Sequence, residues 1–289
     1  MKPARFDYVA PASLDEAVSA LATAGGDAKV LAGGQSLIPM MALRLARPTL
    51  LVDINRLPGL DGIREASGML EIGALVRQRA LERWAATRSP LFAEVLRHVA
   101  HPPIRNRGTV VGNVVHADPA SELPAVLLCL EGVVVARGPR GERMIPADRF
   151  YRAPLTTALA ADELATAVRF TLPPAGAGWG FAEVSRRHGD FALVGAVAVI
   201  ALAADGTVAR ARLAFFGAGG TPVRGLVVEQ ALAGHAPTPA LIADAARAAV
   251  AALSPDADIH ATAAYRRQVA ATLAERTLAA ALARCGGPR

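Results

Sequence analysis

Leu14, Ala17, Val18 and Leu21 recur three and four residues apart, just behind Ser13-Leu14-Asp15-Glu16. That spacing places the apolar side chains on one helical face, and a serine followed three residues later by a glutamate is a capping box. Gly25 and Gly26 end this helix, as glycine does where the chain must leave helical geometry. Residues 30–32 then read as a short strand. Ser36 fits the N-cap of a second helix, with Pro39 in its first turn, where proline is tolerated. Residues 50–54 (LLVDI) read as another strand, so residues 1–55 form a small β–α unit.

Further along, residues 69–76 read as a strand, and residues 80–86 and 91–99 as helices. Residues 101–124 have weak periodicity and read as a long loop, a kind of segment that tends to carry function. A helix over 119–130 follows, with Asp118 as N-cap and Pro119 in first position. Residues 133–136 and 165–170 are strand-like. PPAGAGWG at 173–180 has the proline and glycine of a linker. Beyond it lie two strands, 193–202 and 208–216, joined by Asp205-Gly206, and two alanine-rich helices, 239–253 and 263–283. The pattern predicts an α+β protein with a two-part first domain over 1–175 (subdomains 1–55 and 56–175). A smaller domain of antiparallel strands and helices follows over 178–286.

Composition narrows the function classes. Of 289 residues, 53% are hydrophobic and 19% charged, which excludes a disordered chain, and 4% aromatic content leaves the core to Ala, Val and Leu. A net charge of +6 raises the question of nucleic acid. However, Lys2 and Lys29 are the only lysines, and the arginines are scattered without aromatic interleaving, so no nucleic-acid partner is expected. Cys129 and Cys285 cannot supply the four thiolates of an iron–sulfur cluster, nor a CxxC zinc site. The first residues lack the apolar stretch of a signal peptide, and the longest apolar run, 193–204, is too short for a transmembrane segment. A cytoplasmic location is expected.

Two glycine-bearing stretches carry the chemistry. Ala32-Gly33-Gly34-Gln35-Ser36 joins a strand to a helix, where free N–H groups and the helix dipole favour an anion, although an ordinary tight turn has the same look. It is neither G-x-G-x-x-G nor a Walker A loop. The second stretch, Gly108-Thr109-Val110-Val111-Gly112-Asn113, again offers small residues, a hydroxyl and an amide. Hydrogen bonds to a charged group contribute ~1.5–3 kcal/mol each, and a helix terminus adds ~0.3–1 kcal/mol. Binding costs roughly 4–15 kcal/mol of lost freedom. One such turn would barely hold a ligand; two clamping a diphosphate would.

Three stretches, AGGQSLIPMMALRLARP, IRNRGTVVGNVVHADPASELPAV and FAEVSRRHGDFALVGAVA, resemble the FAD-binding medium subunits of molybdenum-containing hydroxylases. That family includes carbon monoxide dehydrogenase and the bacterial nicotine, caffeine and xanthine dehydrogenases. The resemblance implies an FAD-binding domain of the vanillyl-alcohol-oxidase/PCMH type. It also implies that Ala32, Gly33, Gly34, Gln35 and Ser36, with Thr109, Gly112 and Asn113, wrap the FAD diphosphate. Val30, Leu31 and Ala100 would line the same pocket. Glu122, with help from Asp118, would bind the adenosine ribose, and Phe191 would cover the isoalloxazine ring. No catalytic side chain and no metal ligand is implied on this chain. The molybdenum cofactor and the [2Fe-2S] clusters would sit on a large and a small partner subunit, in a dimer of heterotrimers. The chain would pass electrons from the iron–sulfur subunit to an external acceptor.

Two departures stand out. The family's second loop commonly reads T-I-G-G-N, whereas Val111 replaces the first glycine; valine is poor wherever φ must be positive. Glu183 occupies a position where some relatives carry a lysine near the flavin, and a carboxylate there makes flavin reduction harder. Two other readings compete: a stand-alone flavin reductase, and a flavin-free assembly module that Val111 would favour. His98, His101 and His116 show no metal spacing, while Arg105 and Arg107 suit either a phosphate or surface ion pairs.

Overall fold

A computed structural model describes residues 2–286. Three short strands, Asp7–Val9, Ala28–Leu31 and Leu50–Asp53, form a parallel sheet with Leu50–Asp53 in the middle. Parallel strands need a crossover, and the helix Leu14–Thr23 supplies the first, burying Ala17, Val18 and Leu21 as their spacing predicts. Its cap is shifted by one residue from the ideal box. Ser13 Oγ accepts from the Glu16 N–H, while the Glu16 carboxylate accepts from the N–H of Ala12.

A five-stranded antiparallel sheet follows, in the order Ile63–Ala66, Met69–Gly73, Leu164–Thr171, Val133–Gly138, Gly141–Pro146. The helices Pro90–His98 and Glu122–Cys129 contribute Phe92, Val95, Leu123 and Val126 to the same core as Leu70, Ile72, Val134 and Val168. Within it Phe92 and Phe170 meet edge to face with centroids 4.9 Å apart, a favoured aromatic geometry.

The last sheet is antiparallel, in the order Gly178–Ser185, Ala192–Leu202, Val208–Phe216, Val223–Arg224. Side chains alternate across a strand, and here both faces are covered. Val197, Val199, Ala214 and Phe216 join the first core, while Val194, Ala196, Ala198, Ile200, Leu213 and Phe215 form a second core with the helices Leu226–Leu232, Pro239–Val250 and Ala263–Ala283. That double burial explains the unbroken apolar run at 193–204. The long helix rests directly on the sheet: a methyl at Gly178 or Gly180 would come within 1.8 Å of the Ala281 carbonyl oxygen or 2.0 Å of that of Thr277.

Several sequence expectations change. The stretch 101–124 is largely helical, with Pro102–Arg107 and Val110–His116 separated by Gly108-Thr109; helices this short show too few turns for a period to register. The following helix begins at Glu122 with Ser121 at its N-cap, so Asp118 is not the cap and Pro119 is not the first helical residue. Asp118 instead accepts from the Ala120 N–H at 2.8 Å, closing a local turn. Ser36 holds the N-cap position of Leu37–Ala42 without a side-chain capping bond. The linker stretch ends earlier than expected, since 178–180 already belong to a strand. No described helix is long and apolar enough to cross a membrane.

Candidate cofactor site

The first loop leaves the strand Ala28–Leu31 and turns at Gly34, whose φ is +73°, a region open to glycine and strained for other residues. Among the described residues, the N–H groups of Gly33, Gly34, Gln35 and Ser36 donate to no acceptor. Such a row of free donors is an anion site in waiting. Gly33 itself is needed for contact rather than conformation. A Cβ there would lie 2.5 Å from the Arg107 carbonyl oxygen and 2.8 Å from Gly108 Cα. The two glycine-bearing loops thus touch backbone to backbone.

The second loop is built as a helix start. Thr109 is the N-cap of Val110–His116, and its hydroxyl oxygen accepts from the Gly112 N–H at 3.0 Å. That leaves the hydroxyl proton free to donate. Val111 sits in the first helical turn with its side chain in the core, and its φ is not positive. The condition under which valine would be poor is therefore not met: the position requires no glycine conformation. With it goes the feature that favoured the flavin-free module.

A pair of side chains that sequence reading missed ties the loops together. Asn55 Nδ2 donates to the Ala32 carbonyl at 2.9 Å, and Arg77 donates through Nη2 to Asn55 Oδ1 at 2.6 Å and through Nη1 to the Arg107 carbonyl at 2.7 Å. Asp53 holds Asn55 in turn, accepting from its N–H at 2.9 Å and its Nδ2 at 2.6 Å. Asn55 lies two residues past the end of the strand, held by the Asx turn of Asp53, but nothing in the sequence tells which distant carbonyl it will meet.

Between the loops lies a cavity of about 550 Å³, within the usual range for ligand pockets. Val30, Ala32, Gly33, Gly34, Gln35, Ser36, Ala100, Thr109, Gly112, Asn113, Glu122 and Phe191 all line it. Leu31 and Asp118 do not. Leu31 takes the alternate side of its strand, with its carbonyl accepting from the Ile54 N–H, and Asp118 is occupied in its own turn. Arg105 is not a free cation for a phosphate either. It is buried, pairs with Glu82 at 3.1 Å and donates to the carbonyls of Val99 and Ala100. That fixes Ala100 at a φ of +47° on the cavity wall.

The wall also contains polar atoms without partners. Asn113 Oδ1 and Gln78 Oε1 are buried and accept no hydrogen bond from the protein. A buried acceptor left alone costs ~1–3 kcal/mol, so both ask for a donor from a ligand or from water. Glu122 is buried, and burial first, then the nearby Glu183 carboxylate, push its pKa up to about 8. At neutral pH it presents a carboxylic acid, a donor rather than a charge. Burial also lowers the pKa of His116. Phe191, by contrast, is 71% exposed at the mouth.

A cleft lined by free backbone donors, an exposed aromatic side chain and a buried carboxyl has donors for an anion and a face for a ring system. Comparison with known proteins gives it a family. Residues 4–173 match the FAD binding domain in molybdopterin dehydrogenase. Residues 179–281 match the CO dehydrogenase flavoprotein C-terminal domain. The chain belongs to this flavoprotein family. FAD is the cofactor its first domain binds, and its members are subunits of dehydrogenases. The 6-hydroxypseudooxynicotine dehydrogenase complex subunit alpha of Paenarthrobacter nicotinovorans is 44% identical over 98% of this chain and 97% of its own length. The carbon monoxide dehydrogenase medium chain of Hydrogenophaga pseudoflava is 39% identical over 99% of this chain and 100% of its own. Among solved structures, a carbon monoxide dehydrogenase from that organism lacking the Mo-pyranopterin moiety matches with a TM-score of 0.95. It is 40% identical, over 99% of this chain and 100% of the other.

Proposed function

We propose that this chain is the FAD-carrying electron relay of a three-part molybdenum hydroxylase. A separate small subunit would bring electrons through [2Fe-2S] clusters, a separate large subunit would oxidise the substrate at molybdenum, and two such trimers would pair. The reading that the relatives are medium chains supports this division of labour, as does a chain with only two cysteines, Cys129 and Cys285. The observation that carries it is the backbone contact of Gly33 with Arg107 and Gly108, which sets four free N–H groups of the first loop against the start of the Val110–His116 helix.

In this reading the free N–H groups of Gly33, Gly34, Gln35 and Ser36 donate to the diphosphate oxygens from one side, and the Thr109 hydroxyl and the Asn113 side-chain amide donate from the other. Asn113 and Gln78 use their unpaired carbonyl oxygens to accept from ligand hydroxyl or imide N–H groups. Val30 and Ala100 exclude water from the cavity wall, and Glu122 donates a hydrogen bond where a ribose hydroxyl or the flavin comes within reach. Phe191 covers the open face of the ring system. Bound FAD supplies the redox chemistry, accepting electrons singly or in pairs. The chain binds and orients it, sets the charge around it and needs no nucleophile.

The visible absorption spectrum of the purified chain, with release and identification of the chromophore, tests this. Stoichiometric FAD is the expected result. FMN would contradict the adenosine half of the assignment, and a chain that takes up no flavin from an excess of FAD would overturn it.

A further inference from the structure

The hairpin between the strands Gly178–Ser185 and Ala192–Leu202 reaches from the C-terminal domain onto the FAD-binding domain. Its tip is tight: Ser185 Oγ donates to the Arg187 carbonyl at 2.9 Å, and the Asp190 N–H donates to the same oxygen at 3.1 Å. Two contacts seat it on the end of the helix Pro90–His98 and the turn that follows. The His188 ring meets that of His98 with centroids 5.8 Å apart. Gly189, with a φ of +83°, lies against His101. A Cβ there would come within 2.5 Å of Cε1 and 2.7 Å of Nδ1 of the imidazole, and within 3.1 Å of the Ala100 carbonyl oxygen. Ala100, Gly189, Asp190 and Phe191 all line the cavity, so its wall runs from one domain to the other at this seat.

We propose that His101 is a positioning residue for the cofactor: its imidazole seats Gly189, and that seat holds Phe191 over the cavity. The inference rests on the FAD reading above. Among the described residues, no hydrogen bond joins residues 186–191 to residues 98–101. The seat is therefore a fit of shapes, and contacts of that kind are lost with the atoms that make them. On its other flank the hairpin is tied within its own domain, with Arg186 Nη1 at 3.1 Å from His260 Nδ1. His101 itself is exposed and holds the N-cap position of Pro102–Arg107 without a side-chain capping bond. Neither core packing nor capping accounts for the imidazole; the glycine resting against it does.

The platform beneath the seat is fixed. Ala100 has a φ of +47°, a left-handed conformation that is strained outside glycine and persists only where the surroundings impose it, as at ligand clamps. Arg105 imposes it here. Its Nη1 donates to the Val99 and Ala100 carbonyls at 2.9 and 2.8 Å, while its Nε donates to Glu82 at 3.1 Å. The bend at Ala100 leaves His98 and His101, on either side of it, both against the hairpin. His101 then leads into the helix Pro102–Arg107, at whose far end the Arg107 carbonyl meets Gly33. One helix of 6 residues thus joins the seat of the hairpin to the contact between the glycine loops.

The test is iodide quenching of flavin fluorescence in the full chain loaded with FAD, with thermal melts alongside. F191A sets the value for an uncovered ring. H101A should raise the quenching constant by the same factor as F191A, and H101A/F191A should go no further, because residues that act through one contact do not add. H101F keeps a flat ring for Gly189 to rest against and should stay with the wild type. H101A at the wild-type value would overturn the proposal whatever its Tm, since a residue that only stabilises the fold moves the melt and not the quenching. A double variant at the combined effect of the two singles, H101F behaving like H101A, or F191A equal to the wild type would overturn it too. All of these are read on bound flavin, whereas a chain that takes up no FAD overturns the cofactor reading and this inference with it.

Discussion

Arg77 donates to Asn55 at 2.6 Å, and through that one hydrogen bond the two glycine loops are joined from behind, because Asn55 holds the Ala32 carbonyl and Arg77 the Arg107 carbonyl. Neither side chain is among those that line the cavity. Their role is to fix the gap between the loops. Lysine is a point charge without the planar fork that serves two acceptors at once. R77K is therefore expected to weaken FAD binding about ten- to a hundredfold, the loss of one charge-assisted bond of ~1.5–3 kcal/mol. Flavin fluorescence titration of the apoprotein measures this, and an unchanged Kd would remove Arg77 from the loop brace.

Gly33 and Gly34 are adjacent but are glycine for different reasons. Gly33 gives up its Cβ to let Arg107 and Gly108 approach, whereas Gly34 has a φ of +73° with its would-be Cβ 3.2 Å from the Ile38 side chain. G33A must push backbone from backbone and is expected to abolish stoichiometric FAD while leaving each loop able to fold. G34A meets only flexible side chains, and the left-handed conformation costs it about 1–2 kcal/mol, seen as a lower Tm. Flavin content and thermal melts on both variants separate the two roles; equal flavin content would show that the loops tolerate separation.

What could be read from the sequence follows from the range over which each signal acts. The capping box at Ser13, the turn at Asp205-Gly206 and the two closing helices are local patterns, and each sits close to where it was expected. Gly33 and Thr109 carry local chemistry and appear in the cavity wall. The braces do not show up this way: Asn55 and Arg77, or Gln78 behind Gly108, act across chain separations that no period records. Asp118 misled because aspartate before proline suits a helix cap and an isolated turn equally. Arg105 misled because a loop arginine gives no hint that Glu82 and two carbonyls await it in the interior. The polar edge strand Gly141–Pro146 was missed, since GERMIP lacks a clean alternation.

Among the described residues, Phe191 is the one Phe, Tyr or Trp that lines the cavity, at 71% exposure. A side chain so little buried contributes almost nothing to folding, so F191A should change the unfolding free energy by no more than about 0.5 kcal/mol. Its effect should fall on bound flavin alone, as easier quenching of flavin fluorescence by iodide. A destabilised apoprotein with unchanged quenching would make Phe191 a packing residue instead.

The two cores are clamped by charge as well as by apolar contact. Glu131, just past the helix Glu122–Cys129, accepts from Arg212 at 2.8 Å, from Arg224 at 2.8 Å and from Arg210, all three on the last sheet. Burial alone would raise the Glu131 pKa, but Arg212, Arg210 and Arg224 together outweigh it and hold the carboxyl below the ordinary carboxylate range. A carboxyl whose pKa is depressed by folding adds stability that is complete above its unfolded pKa and is lost as pH falls through the folded one. E131Q keeps the shape and removes the charge. It should cost about 1–3 kcal/mol at neutral pH and flatten the loss of stability on the acid side, where the wild type gives up this contribution and the variant has none to lose. Urea unfolding between pH 3 and 7 measures both at once. Parallel acid limbs for the two proteins would mean that the arginines find Glu229 a sufficient partner, since it already accepts from Arg212 at 3.1 Å and Arg224 at 2.8 Å.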